Sequence, residues 1–116
     1  MYNYIELEDE KLEFVAVASE DEISDGERIL FEIDGESIVL FKIAGAYFAI
    51  ADLCSHDDGP VAEGEIEGHE VICPRHGAHF DLHTGKALTL PAVVDIPAYP
   101  VRVAEGEVLV GIPFKA

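Results

Sequence analysis

Hydrophobic and polar positions alternate along most of this chain with the period of two that a half-buried strand requires. Leu12–Ala18, Arg28–Ile33, Ser37–Ile43 and Tyr47–Leu53 are rich in β-branched or aromatic side chains and read as strands. Glu70–Cys73, Tyr99–Ala104 and Glu107–Ile112 are further candidates. The turn pairs Asp25-Gly26, Asp34-Gly35, Ala44-Gly45 and Glu105-Gly106 punctuate them. This close spacing favours antiparallel hairpins, because parallel pairing needs long crossovers. The only helix signal is the capping-box spelling Ser19-Glu20-Asp21-Glu22, which meets Asp25-Gly26 almost at once and supports about one helical turn. The pattern predicts an all-β fold, an antiparallel sandwich or barrel. Its core should draw on Phe14, Val15, Val17, Ile29, Phe31, Val39, Phe41, Phe48, Ile50, Val101, Val103 and Leu109.

Between Asp52 and Pro97 the texture changes. All five histidines, both cysteines and three of the six prolines (Pro60, Pro74 and Pro91) fall there. The stretch of about 52–97 reads as a small loop-rich subdomain inserted in the β base of a single domain, 1–116. Its own core is thin, so bound metal should contribute to its folding.

Composition narrows the classes of function. A hydrophobic fraction of 49% is ordinary for a globular domain. With 24 acidic residues against 7 basic ones the net charge is −17, so nucleic acid is an improbable partner. The same charge keeps the protein soluble and can steer it toward basic protein partners. The chain lacks an apolar run long enough to span a membrane. Met1-Tyr2-Asn3-Tyr4-Ile5-Glu6 does not read as a signal peptide. A cytoplasmic setting is the expectation, and there two cysteines flanked by histidines suit metal better than a disulfide.

The chemistry concentrates in Cys54-Ser55-His56 and Cys73-Pro74-Arg75-His76, with sixteen residues between them. Two thiolates and two imidazoles can hold a [2Fe–2S] cluster in which histidines replace cysteines on one iron. Four thiolates would make the oxidised cluster a dianion, whereas two neutral imidazoles make it neutral. An electron enters a neutral site more easily, so the potential rises into a band of about −150 to +300 mV. The same four residues can instead bind structural zinc, although zinc sites usually keep cysteines in one motif and histidines in another. A catalytic Cys–His pair would leave the duplicated spacing unexplained. Asp57-Asp58-Gly59 lacks the earlier acidic ligands of a calcium loop, and no nucleotide-binding glycine motif occurs. His69, His79 and His83 read as bystanders, with His79 a candidate for a group acting on the cluster through its ligands.

The two runs, with Gly77, Phe80-Asp81 and Thr84-Gly85, resemble the Rieske iron–sulfur family. The resemblance covers about residues 52–92 and implies a Rieske-like β base. It implies that Cys54 and Cys73 hold the buried iron, that His56 and His76 hold the outer iron, and that Leu90-Pro91-Ala92 helps cover the cluster. High-potential members carry a disulfide between the loops and hydroxyl donors to the cluster sulfurs. Here Gly59 and Arg75 stand at the cysteine positions, and Ala78 and Phe80 at the hydroxyl positions. Fewer donors and the nearby Asp57 and Asp58 place the potential near the bottom of the band, within about 100 mV of −150 mV.

The best reading is a Rieske-type ferredoxin, similar to the ferredoxin components of bacterial aromatic-ring dioxygenase systems. It would carry one electron from a reductase to a terminal oxygenase or other redox acceptor and turn over no substrate itself. Two alternatives stand beside it: the small subunit of an assimilatory nitrite reductase, and a zinc-binding structural module.

Overall fold

A computed structural model describes residues 9–52, 61–74, 77–90 and 95–113. Among the described residues, ten strands form three antiparallel sheets: β1 (Leu12–Ser19), β2 (Arg28–Ile33), β3 (Glu36–Ile43), β4 (Ala46–Ala51), β5 (Ile66–Glu67), β6 (Glu70–Ile72), β7 (His79–Asp81), β8 (Ala98–Tyr99), β9 (Val101–Ala104) and β10 (Glu107–Pro113). Helix is limited, among the described residues, to the 3-10 turns Asp9–Lys11 and Glu20–Glu22. The all-β expectation therefore holds. In the second turn the Glu22 carboxylate accepts the Ser19 N–H at 2.7 Å, as the capping-box spelling implied.

Three hairpins close on the turn pairs read from the sequence. Asp34-Gly35, Ala44-Gly45 and Glu105-Gly106 each place both residues at positive φ, 53° and 82°, 51° and 82°, and 53° and 80°. That is the type I′ turn, whose twist matches paired strands. The resulting sheets run β2-β3-β4-β8, β1-β10-β9 and β5-β6-β7.

The expected strand Tyr99–Ala104 divides at Pro100. Proline has no N–H to give a ladder, so the chain changes sheets there: β8 pairs with β4, and β9 with β10. The strand expected over Tyr47–Leu53 ends at Ala51, and Leu53 lies outside the described residues. Strands β5 and β7, of two and three residues, are too short for alternation to mark them in the sequence.

The central sheet is covered on both faces. Val39, Phe41, Phe48 and Ile50 pack with Val61, Val71, Cys73, Ala78 and Phe80. Ile38, Leu40, Ala49 and Ala51 pack on the opposite face with Tyr99, Val108, Val110 and Ile112. The alternation of β3 and β4 thus sorts their side chains between two cores. Expected core members Phe14, Val15, Val17, Ile29, Phe31, Val101 and Leu109 are only partly buried, and Val103 is exposed. In β10 the inward set is Val108, Val110 and Ile112. The sequence pattern puts Leu109 on the wrong face because nearly every residue of that strand is apolar and no alternation distinguishes its sides.

Candidate metal centre

The short hairpin β6–β7 seats Cys73. Register pairs Val71 with Phe80 and Ile72 with His79, so the chain must reverse just after Ile72. The Cys73 N–H donates to the Ala78 carbonyl at 2.7 Å, and the Gly77 N–H donates back to the Cys73 carbonyl at 3.0 Å. Gly77 takes φ +75°, a left-handed conformation that costs glycine little. Cys73 is 1% exposed, with Val71, Ala78 and Phe80 fully buried in the same core. It also lines an open depression of about 380 Å³ shared with Glu63, Glu65, Ile72, Pro74 and Gly77.

Of the four candidate ligands the structure thus positions Cys73. Cys54, His56 and His76 lie outside the described residues, as do Asp57, Asp58, Gly59, Arg75, Pro91 and Ala92. The Cys73 seat nevertheless has the chemistry of a buried cluster ligand. A soft sulfur donor is held at the end of a hydrogen-bonded hairpin, walled by apolar groups and bordering a cavity. Ala78 and Phe80 form part of that wall and carry no hydroxyl.

Charged side chains fasten the surrounding loops to the central sheet. Asp52, immediately after β4, accepts the N–H groups of Val61 and Ala62 at one carboxylate oxygen, both at 2.8 Å. Arg28 on β2 donates from one terminal nitrogen to the carbonyls of Ala62 and Gly64, both at 2.6 Å. Its guanidinium lies 5.0 Å from the Phe41 ring centroid. Gly64 is packed so closely that a Cβ would strike the Ile72 carbonyl.

A second set of contacts borders 91–94. The carbonyl of Gly85, a residue at φ +76°, accepts the Ile96 N–H at 2.8 Å, and the Asp95 carboxylate accepts the Ala87 N–H at 2.9 Å. None of Asp52, Arg28 and Asp95 stands out in the sequence, because a lone acid or arginine has no motif to mark it.

The remaining histidines sit around these loops. His79 Nδ1 meets the Glu70 carboxylate at 2.8 Å across β6–β7. His69 and His83 are exposed and flank the Phe48 ring, with centroids at 5.3 and 5.8 Å. Among the described residues no three histidine, cysteine or carboxylate side chains gather as a metal site. Nor, among them, is any helix long and apolar enough to cross a membrane.

Fold and site together define an antiparallel β scaffold that holds one buried cysteine, Cys73, at the end of a short hairpin. A family profile described as the Rieske [2Fe-2S] domain matches residues 13–100, and the chain belongs to that family. Its cofactor is one [2Fe–2S] cluster per chain.

Among individual proteins, the chain is 34% identical over 96 residues to the ferredoxin component of naphthalene 1,2-dioxygenase/salicylate 5-hydroxylase systems from a Ralstonia species. That alignment covers 83% of this chain and 92% of the relative. The solved ferredoxin of carbazole 1,9a-dioxygenase from Nocardioides aromaticivorans IC177 superposes with a TM-score of 0.79 at 33% identity, covering 84% of this chain and 95% of that one. A chain in a complex of reduced oxygenase and oxidised ferredoxin of carbazole 1,9a-dioxygenase gives 0.80 at 26%, covering 89% and 96%. A nitrite reductase small subunit from Mycobacterium tuberculosis, described as NADH-dependent, gives 0.78 at 22%, covering 90% and 98%, which shows the fold alone.

Proposed function

We propose that this protein is a one-electron carrier that accepts an electron from a reductase and delivers it to a terminal oxygenase. It is an electron-transfer component and performs no catalytic turnover of its own. Cys54 and Cys73 would hold one iron of its [2Fe–2S] cluster, and His56 and His76 the other. When bound, the cluster supplies reversible one-electron chemistry. The polypeptide supplies two thiolates, two imidazoles, an apolar wall and a rigid base. The observation that carries this reading is Cys73, buried among apolar side chains at the end of the β6–β7 hairpin and bordering a cavity.

The ferredoxin nature of the relatives supports the pairing with a reductase and an oxygenase. The potential is low for the class, because Ala78 and Phe80 offer no hydroxyl to a sulfur. We place the protein in the cytoplasm, as a single domain of residues 1–116 with its cluster subdomain at about 52–97. The nitrite reductase alternative has support in fold only, and the zinc alternative does not fit the family's cofactor.

The test combines iron and acid-labile sulfide analysis with a reductive titration. The carrier reading expects equal iron and sulfide and uptake of a single electron per chain. Reduced protein should then be reoxidised by a terminal dioxygenase that it supplies. Zinc in place of iron, or a reduced protein that no oxygenase reoxidises, would overturn it.

A further inference from the structure

The contacts of Asp52 and Arg28 converge on one short stretch of backbone. Asp52 leaves β4 with its own N–H bonded to the Ser37 carbonyl at 2.9 Å, which ties it to the central sheet. Its carboxylate takes the N–H groups of Val61 and Ala62. The end of β4 and the start of 61–64 are therefore joined at one point of the scaffold. Arg28 takes the carbonyl of the same Ala62, and that of Gly64. An anion on the N–H side and a cation on the carbonyl side grip residue 62 along its peptide dipoles. Charge-assisted bonds of this kind are roughly twice as strong as neutral ones.

The grip continues toward the second loop. Val61 and Ala62 are buried at 0% and 2% exposure against the central sheet. Gly64 abuts the Ile72 carbonyl, and the Ile72 N–H donates to the Glu65 carbonyl at 2.9 Å. Cys73 follows directly. A continuous run of short contacts thus links Asp52 to Ile72, the residue before Cys73.

We propose that Asp52 and Arg28 are positioning residues that tie the backbone of 61–64 to the central sheet and so hold the Cys73 hairpin in place for the cluster. This rests on the ligand assignment made above. Neither residue needs to touch the cluster. They act through the backbone of 61–64, which meets the β6–β7 hairpin at Gly64 and Glu65. Supporting groups of this sort typically change metal affinity by about 10–100-fold.

The test uses the full-length holoprotein and the variants Asp52→Ala, Asp52→Asn, Arg28→Met and Arg28→Lys. Arg102→Met is the control, since Arg102 lies 4.1 Å from the Phe14 ring on the β1-β10-β9 sheet. The readouts are the rate of cluster loss to an iron chelator, the EPR line width of the reduced protein, and the thermal midpoint of the apoprotein. Asp52→Ala and Arg28→Met should lose the cluster at least about tenfold faster and broaden the EPR lines. Asp52→Asn and Arg28→Lys, which keep an acceptor and a donor, should fall between these and the parent. Arg102→Met should match the parent.

Parental cluster lifetime and line width in both Asp52→Ala and Arg28→Met would overturn the proposal. If Asp52→Ala does not fold, Asp52→Asn decides: faster cluster loss with an unchanged apoprotein midpoint supports positioning, and an equal fall in both contradicts it. The ligand assignment is tested separately by Cys54→Ala. Retention of an unaltered cluster there would defeat that assignment, whatever the Asp52 variants do.

Discussion

At the scale of single residues, the site is legible in the sequence where chemistry leaves few choices. The chain has two cysteines, each with a histidine within three positions, so the sulfur donors follow from the residue types alone. The fold adds that Cys73 is buried and that its neighbours Ala78 and Phe80 are fully buried too. Restoring hydroxyls there should stabilise negative charge on the cluster sulfurs. Ala78→Ser combined with Phe80→Tyr should raise the midpoint potential, by about 60 mV if the reduced form gains tenfold in relative stability. A redox titration checks this, and a fall would contradict it. Gly85 offers a second prediction. Its φ of +76° disfavours an L side chain, and a Cβ would strike the Ile96 carbonyl. Gly85→Ala should cost about 2–4 kcal/mol in chemical denaturation of the apoprotein. Asp52 and Arg28, by contrast, are not legible: one aspartate among 24 acidic residues carries no local signal, and its partners lie 9 and 10 residues further on.

At the scale of elements, turn chemistry decides what can be read. Asp34-Gly35, Ala44-Gly45 and Glu105-Gly106 mark three hairpins because a type I′ turn needs residues that accept positive φ. Strand parity is readable only where polar residues interrupt apolar ones. In β10, Glu107-Val108-Leu109-Val110 offers two equivalent faces, and the pattern points to Leu109 for the core in place of its neighbours. The structure buries Val108 completely and leaves Val103 on β9 44% exposed. Val108→Ala should therefore destabilise by about 2 kcal/mol, and Val103→Ala by less than about 0.5 kcal/mol. Denaturant midpoints of the two variants check this; equal losses would contradict the register. Pro100 shows the opposite case, a single residue whose missing N–H divides one apparent strand between two sheets.

At the scale of the whole molecule, the central sheet separates two cores, one built with the β1-β10-β9 sheet and one with the β5-β6-β7 sheet. Alternation makes the all-β class visible in the sequence. The division into two cores is not visible there, because it depends on which strands pair across long separations. The net charge of −17 belongs to this scale as well. Its expected counterpart, where charge steers docking, is a basic face on the redox partner. Second-order rates of electron transfer should fall as salt rises, since the Debye length shrinks from about 30 Å at 0.01 M to about 3 Å at 1 M. Stopped-flow rates that ignore ionic strength would contradict electrostatic steering. The proposed electron-carrier function rests on mixed ligation of one diiron cluster by Cys54, Cys73, His56 and His76. Pulsed EPR of the reduced protein labelled with ¹⁵N-histidine tests it most directly. Couplings from two histidine nitrogens are expected, one lost on substitution of His56 and the other on substitution of His76. A cluster whose unpaired spin couples to no histidine nitrogen would contradict it.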